Sequence, residues 1–215
     1  QYILDKIKLF DKNIAGNYDI PNPHGGGTAY MNAVDKNGLG VSLIQSNFYG
    51  IGSRIGVGSY GFFLHNRGCG FNLTKGHPNS LGPNKKPLHT LSPTIWSKDG
   101  SLDFITGTRG GRYQPQLLAQ TILPYILGES SFEEIMKKPR WAIEYFGPNT
   151  PSSIKFEYID NSDMNSLNDK DHKILVENKL IGGYGPISTI YKNSDEKFVG
   201  VPDIRVGTEK AFNNS

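Results

Sequence analysis

Gly25-Gly26-Gly27-Thr28-Ala29-Tyr30-Met31-Asn32-Ala33-Val34-Asp35-Lys36-Asn37-Gly38 is the stretch on which the reading of this chain turns. Three glycines free the backbone to take conformations closed to other residues, and the apolar run behind them ends in a turn signal, so Thr28 stands at the head of a strand over residues 29–34. A hydroxyl fixed there suits a self-released nucleophile. If the Gly27-Thr28 bond is cut, the new α-amine of Thr28 lies beside its own Oγ and can serve as its base, because a free α-amine titrates at about 7.7–8.0. Glycine-rich segments ahead of strands are also plain turns, so the motif needs support from the rest of the chain.

Three further motifs supply it. Ser46-Asn47-Phe48-Tyr49-Gly50-Ile51-Gly52-Ser53 closes the hairpin that Thr28 opens. Gly82-Pro83-Asn84-Lys85-Lys86-Pro87-Leu88-His89-Thr90-Leu91-Ser92-Pro93-Thr94 precedes a second hairpin centred on Lys98-Asp99-Gly100, and Thr106-Gly107-Thr108-Arg109-Gly110-Gly111 follows it. In this order the motifs resemble the γ-glutamyltransferase family of N-terminal-nucleophile hydrolases, from about Pro21 to the end of the chain. The resemblance implies an α/β fold, the C-terminal part of a four-layer αββα sandwich. It also implies a precursor cut into two subunits, with residues 1–27 as the tail of the large subunit and 28–215 as the small catalytic one. Most of the large subunit then lies outside this sequence, which does not open on Met.

The resemblance assigns roles residue by residue. Thr28 matches the nucleophile, which first attacks the Gly27 carbonyl to free itself and then attacks the acyl carbon of a substrate. Ser46 matches a family threonine whose hydroxyl hydrogen-bonds the nucleophile. Gly110 and Gly111 match a pair whose backbone N–H groups form an oxyanion hole, where donors must come within about 2.7–3.1 Å of the oxyanion. The residue-level alternatives are a strand-end serine and an ordinary turn. Arg109, just before the pair, has no role in the motif.

Substrate-recognition positions depart from the family. Where well-studied members carry an Asn, a Gln and Asp for the glutamyl α-amino group, and a Ser-Ser pair for its carboxylate, this chain has Phe48, Arg67, Gly70, and His89 with Thr90. A carboxylate partner for an ammonium is replaced by a cation, which suits an anionic group better. The segment 72–81 is too short for the lid loop of some members, leaving the acyl site open to larger donors.

The reading is therefore an autoprocessed acyltransferase or amidohydrolase acting on γ-glutamyl or related, glutathione-like acyl amides, passing an acyl group to water or an amine. Two alternatives stand beside it: an acylase for a non-γ-glutamyl amide on the same scaffold, and a non-catalytic homologue that never matures. The implied partners are the large subunit, including its Arg for the donor carboxylate, and small-molecule substrates. No cofactor is expected.

Composition removes other classes. The formal net charge is only +3 with both signs spread along 215 residues, so no basic stripe tracks a phosphate backbone, and nucleic acid is not expected as a partner. No apolar run nears the ~20 residues of a membrane helix, and charges interrupt residues 1–8 where a signal peptide would be apolar. The single cysteine, Cys69, excludes an internal disulfide. The five histidines lack metal-ligand spacing, so no metal is expected. Gly56-Val57-Gly58-Ser59-Tyr60-Gly61 fits G-x-G-x-x-G but opens no helix, so a dinucleotide site fails on context. Compartment is not fixed by any of this.

Strands are expected over 29–34, 41–45, 61–65, 94–97, 103–106, 154–158, 187–191 and 197–201. Helices are expected over about 114–128, with Pro124 a possible kink, from the capping-box pattern at Ser131 to before Pro139, and over about 166–179.

Overall fold

The computed structural model describes residues 27–144, 153–168, 172–207 and 210–212. The expected large-subunit tail, apart from Gly27, lies outside the described residues.

Strand β1 (Thr28–Val34) and strand β2 (Gly40–Ser46) form the first hairpin. Its turn is set by Asp35, whose Oδ1 accepts the N–H groups of Asn37 and Leu39, each at 2.8 Å, while Gly38 takes φ +83°. The strands β3 (Thr94–Lys98), β4 (Ser101–Thr108), β8 (Ile187–Lys192) and β9 (Phe198–Val201) form an antiparallel sheet in the order β3-β4-β8-β9.

Both faces of β4 are buried, and each meets a different layer. Phe104 joins Leu117, Leu118 and Ile122 of helix α1 (Gln114–Ile126) and Phe132, Ile135 and Met136 of helix α2 (Phe132–Lys137) in one apolar core. On the other face a Cβ at Gly40 would strike the Ile105 side chain, and the Tyr30 ring lies directly on Gly107. The order hairpin, sheet, helices supplies three successive layers of the expected sandwich.

Helix α1 ends soon after Pro124, and Gly128 at φ +72° closes it. The capping box is present: Glu134 N–H donates to Ser131 Oγ at 3.3 Å, and Ser131 N–H donates to the Glu134 carboxylate at 2.9 Å. Those bonds hold the Glu134 carboxyl below its ordinary pKa, the backbone N–H of Ser131 contributing most.

Two expectations are corrected. Residues 61–65 make no strand: Phe62, Phe63 and Leu64 are exposed, and only an isolated bridge joins Gly56 to Phe63. The third helix, α3, is Asn161–Asn168 rather than 166–179, started by Asp160, whose Oδ1 accepts the Asp163 N–H at 2.8 Å. The apolar Ile174-Leu175-Val176 belongs to a strand, β7 (Lys173–Val176), parallel to β6 (Ser153–Phe156), and Lys155 joins Glu177 across that pair at 2.7 Å. An unexpected strand, β5 (Trp141–Glu144), completes this small sheet.

Candidate active site

The hairpin register sets Thr28 directly opposite Ser46, and their hydroxyl oxygens are 2.7 Å apart. Ser46 Oγ also accepts the N–H of Phe48 at 3.0 Å. Phe48 adopts φ +77°, a strained conformation for a bulky residue. The Gly27 carbonyl, which a released Thr28 would have attacked, accepts the Asn47 N–H at 3.0 Å. A side chain at Gly27 would collide with the Gly50 carbonyl, so the residue before the expected nucleophile has room only for hydrogen.

At the end of β4 the chain turns through Arg109 into Gly110 at φ +126° and Gly111 at φ +57°. Both values favour glycine. Thr108 is buried and donates its hydroxyl to the Gly185 carbonyl at 2.8 Å, and Gly185 packs so closely that a Cβ there would strike the Arg109 carbonyl and Thr108 Oγ1. The loop after β4 therefore rests on the loop before β8.

Thr28, Ser46, Phe48, Thr90, Gly110 and Gly111 line one cleft of about 670 Å³. Thr90 is 9% exposed, and its Oγ1 accepts Arg67 Nη1 at 3.2 Å. The Arg67 guanidinium stands 5.2 Å from the Phe48 ring centroid, a cation–π contact behind two of the lining residues. Gly70 and His89 do not line the cleft: Gly70 packs beside Pro87 and Leu88, and the exposed His89 accepts the Leu91 N–H at 3.3 Å on Nδ1.

Sequence reasoning missed Tyr49, Arg112, Tyr113, Ile143, Gly182, Gly183 and Val206 as lining residues. Gly182-Gly183-Tyr184-Gly185 did carry a signal, a glycine-rich loop entering a strand; Ile143 and Val206 carried none. Tyr30, two residues along β1 from Thr28, bonds Ser42 Oγ at 3.0 Å, and burial raises its pKa. Among the described residues no three His, Cys, Asp or Glu side chains gather as a metal site, and no helix is long and apolar enough to cross a membrane.

The sequence profile described as Gamma-glutamyltranspeptidase matches residues 4–212. The chain is 32% identical over 192 residues to the glutathione hydrolase-like YwrD proenzyme of Bacillus subtilis (strain 168), covering 84% of this chain and 36% of that protein. It is 35% identical over 141 residues to the oxamate amidohydrolase proenzyme of Klebsiella pneumoniae subsp. pneumoniae, covering 63% and 27%. It thus spans about a third or less of the length of these relatives. Among solved structures, a chain of the gamma-glutamyltranspeptidase from Pseudomonas nitroreducens superposes with a TM-score of 0.71 at 19% identity, over 86% of this chain and 99% of that one, which is a likeness of fold. With the profile covering nearly its whole length, the chain belongs to the gamma-glutamyltranspeptidase family.

Proposed function

We propose that this chain carries the catalytic part of a self-processing threonine acyl-transfer enzyme, with residues 28–215 as its small subunit and 1–27 as the end of the large one. The observation that carries the reading is the 2.7 Å contact of Thr28 Oγ1 with Ser46 Oγ in the cleft that Gly110 and Gly111 also line. Its relatives are proenzymes, which agrees with maturation by cleavage.

Maturation begins when Thr28 Oγ attacks the Gly27 carbonyl carbon. The C–N bond breaks, the Thr28 amine keeps the hydroxyl proton, and water then hydrolyses the resulting ester to leave a Gly27 carboxylate and a free Thr28 amine. The Asn47 N–H on the Gly27 carbonyl stabilises negative charge on that oxygen during the attack. In turnover the free amine takes the Thr28 hydroxyl proton as Oγ attacks the donor amide carbonyl, and the proton passes to the leaving amine. Gly110 and Gly111 N–H groups face the oxyanion. Water or an acceptor amine releases the acyl group, a γ-glutamyl or related one.

The acylase reading keeps the same chemistry with a different donor, and the similarity to an oxamate amidohydrolase favours it at the level of the acyl group. Intact mass of the full precursor tests the shared reading and separates it from a homologue that never matures. A maturing enzyme yields a fragment beginning at Thr28 without added protease, and Thr28→Ala stays whole and inactive. Cleavage that persists in Thr28→Ala removes Thr28 from the role.

A further inference from the structure

Arg109 and Arg112 bracket Gly110 and Gly111, and both line the cleft with Thr28. Among the described residues neither guanidinium meets a hydrogen-bond or ion-pair partner. The packing of β1 on β4 brings Arg109 toward Thr28: the Tyr30 ring lies directly on Gly107, Thr28 is two residues from Tyr30, and Arg109 is two residues from Gly107. Each such step of strand covers about 6.5–7 Å. The cleft of about 670 Å³ equals a sphere about 11 Å across, close to the ~8–10 Å over which salt screens a charge, so both cations act on Thr28 with partial screening. The other groups facing it are few. The loop after β4 adds Tyr113 and the turn after β2 adds Tyr49, while Ile143 of β5, Gly182, Gly183 and Val206 carry no charge. Arg67 stands behind Phe48 and Thr90, and Tyr30 lies further along β1. No Asp, Glu, Lys or His is among the lining residues.

In the acyl-transfer reading above, the released α-amine of Thr28 takes the proton from its own Oγ, and only the unprotonated amine can do so. A free α-amine titrates at about 7.7–8.0, so near neutral pH most of it is ammonium. Like charge nearby disfavours the ammonium. We propose that Arg109 and Arg112 lower the pKa of the released Thr28 amine and so hold more of it in the base form. They act through the amine, as positioning residues, and take no part in making or breaking bonds. The proposal rests on the acyl-transfer reading. Arginine suits the task because its guanidinium stays charged at every working pH. Arg109 is half-buried and rooted beside the Thr108–Gly185 bond, whereas Arg112 is exposed, so Arg109 carries the larger share. Maturation also leaves a Gly27 carboxylate next to the amine, with the opposite effect. Taking away an arginine still moves the amine upward, whatever other charges surround it.

The test uses the full precursor after self-processing and needs no acyl donor. Brief competitive acetylation with acetic anhydride over about pH 5.5 to 9.5, read by the mass of the peptide that begins at Thr28, titrates the α-amine directly. We expect Arg109→Gln to raise the midpoint of that titration by about 0.3–1 pH unit and Arg112→Gln to raise it by less. Arg109→Lys keeps the charge and should stay near the unmodified protein. Raising sodium chloride from about 0.05 to 1 M should lift the midpoint of the unmodified protein and move that of the double variant, Arg109→Gln with Arg112→Gln, much less. A midpoint that the double substitution leaves in place or lowers overturns the proposal. If Arg109→Gln does not fold, Arg112→Gln at its exposed position and the salt response of the unmodified protein decide, and no upward shift in either overturns it. The two readings fail differently: a matured protein whose Thr28 amine ignores both arginines refutes their role alone, whereas a precursor that never releases Thr28 refutes the acyl-transfer reading and this proposal with it.

Discussion

Ser46→Ala removes one hydroxyl and breaks two bonds at once: the 2.7 Å contact with Thr28 Oγ1 and the 3.0 Å bond that Ser46 Oγ accepts from Phe48 N–H. A neutral hydrogen bond is worth about 0.5–1.5 kcal/mol net, so the pair contributes about 1–3 kcal/mol. The first bond orients the nucleophile, and the second holds Phe48 at φ +77°, where little else favours so bulky a residue. If that energy is expressed in the transition state, kcat/KM falls about 5- to 150-fold. Maturation should slow to a similar degree, because both steps use Thr28 Oγ. Ser46→Thr keeps the hydroxyl and should stay within a few-fold of the unmodified enzyme. The assay follows appearance of the fragment starting at Thr28 by intact mass, then p-nitroanilide release by the matured protein. Maturation and turnover within twofold of the unmodified enzyme in Ser46→Ala would refute the idea that this serine orients the nucleophile.

Gly110→Ala and Gly111→Val each put a side chain on backbone at φ +126° or +57° and should lower kcat by about 10²–10³-fold while circular dichroism stays unchanged; unaltered turnover in both makes the pair an ordinary turn. Gly185→Ala drives a Cβ into the Arg109 carbonyl and should lower kcat on the order of 10²-fold by shifting the Gly110 donor about 1 Å, a reading that unchanged kcat would reject. Burial, with the hydrogen-bonded Glu133 carboxylate, pushes the Tyr191 phenol up to about 12. A raised folded-state pKa means stability is complete below the unfolded phenol's value of about 10 and is lost as pH rises toward about 12. Urea unfolding between pH 9 and 12 should show that decline, and Tyr191→Phe should flatten it; equal slopes in the two proteins count against the assignment.

The Thr28–Ser46 pair was legible through the family resemblance, and the antiparallel hairpin that carries it leaves little freedom once its connection is set. The connection is Asp35 to Leu39, one residue longer than the Asp35–Gly38 turn signal, so Val34 faces Gly40, and every pair outward from it is fixed as far as Thr28 and Ser46. The capping box at Ser131 was equally legible, since its bonds lie within four residues. Residues 166–179 misled because a short apolar run fits a helix or a buried strand equally well, and pairing with β6 decides it from a distance. Phe62, Phe63 and Leu64 had strand-like composition and no neighbouring strand to pair with. Gly182 and Gly183 come just after the stretch expected as helix over 166–179, and nothing local beyond the glycines themselves points to the cleft they line.

Least legible were four charges scattered over 66 positions of sequence that meet in the interior, Arg140, Glu157, Asp203 and Arg205. Arg140 Nη1 meets Asp203 Oδ2 at 2.6 Å, Arg205 pairs with Glu157 and reaches Asp203 at 3.3 Å, and all four are almost completely buried at their side chains. Burial pulls the Arg140 pKa down, whereas at Arg205 the burial penalty is outweighed by the bonds and charges of Glu157 and Asp203 and its pKa rises. Well-packed apolar residues often replace buried ion pairs without loss of stability. Here they would not, because the carboxylates also take backbone donors: Glu157 accepts the N–H groups of Arg140 and Ile181, each at 2.7 Å, and Asp203 accepts that of Ile187 at 2.9 Å. Arg205 in turn donates to the Met136 and Lys138 carbonyls at the end of α2. Apolar substitutes would orphan each of these backbone groups inside the protein, at about 1–3 kcal/mol apiece. Since Ile181 and Ile187 flank the loop that carries Gly182, Gly183 and Gly185, the same bonds that satisfy the interior fix the wall against which the Arg109–Gly110 turn rests.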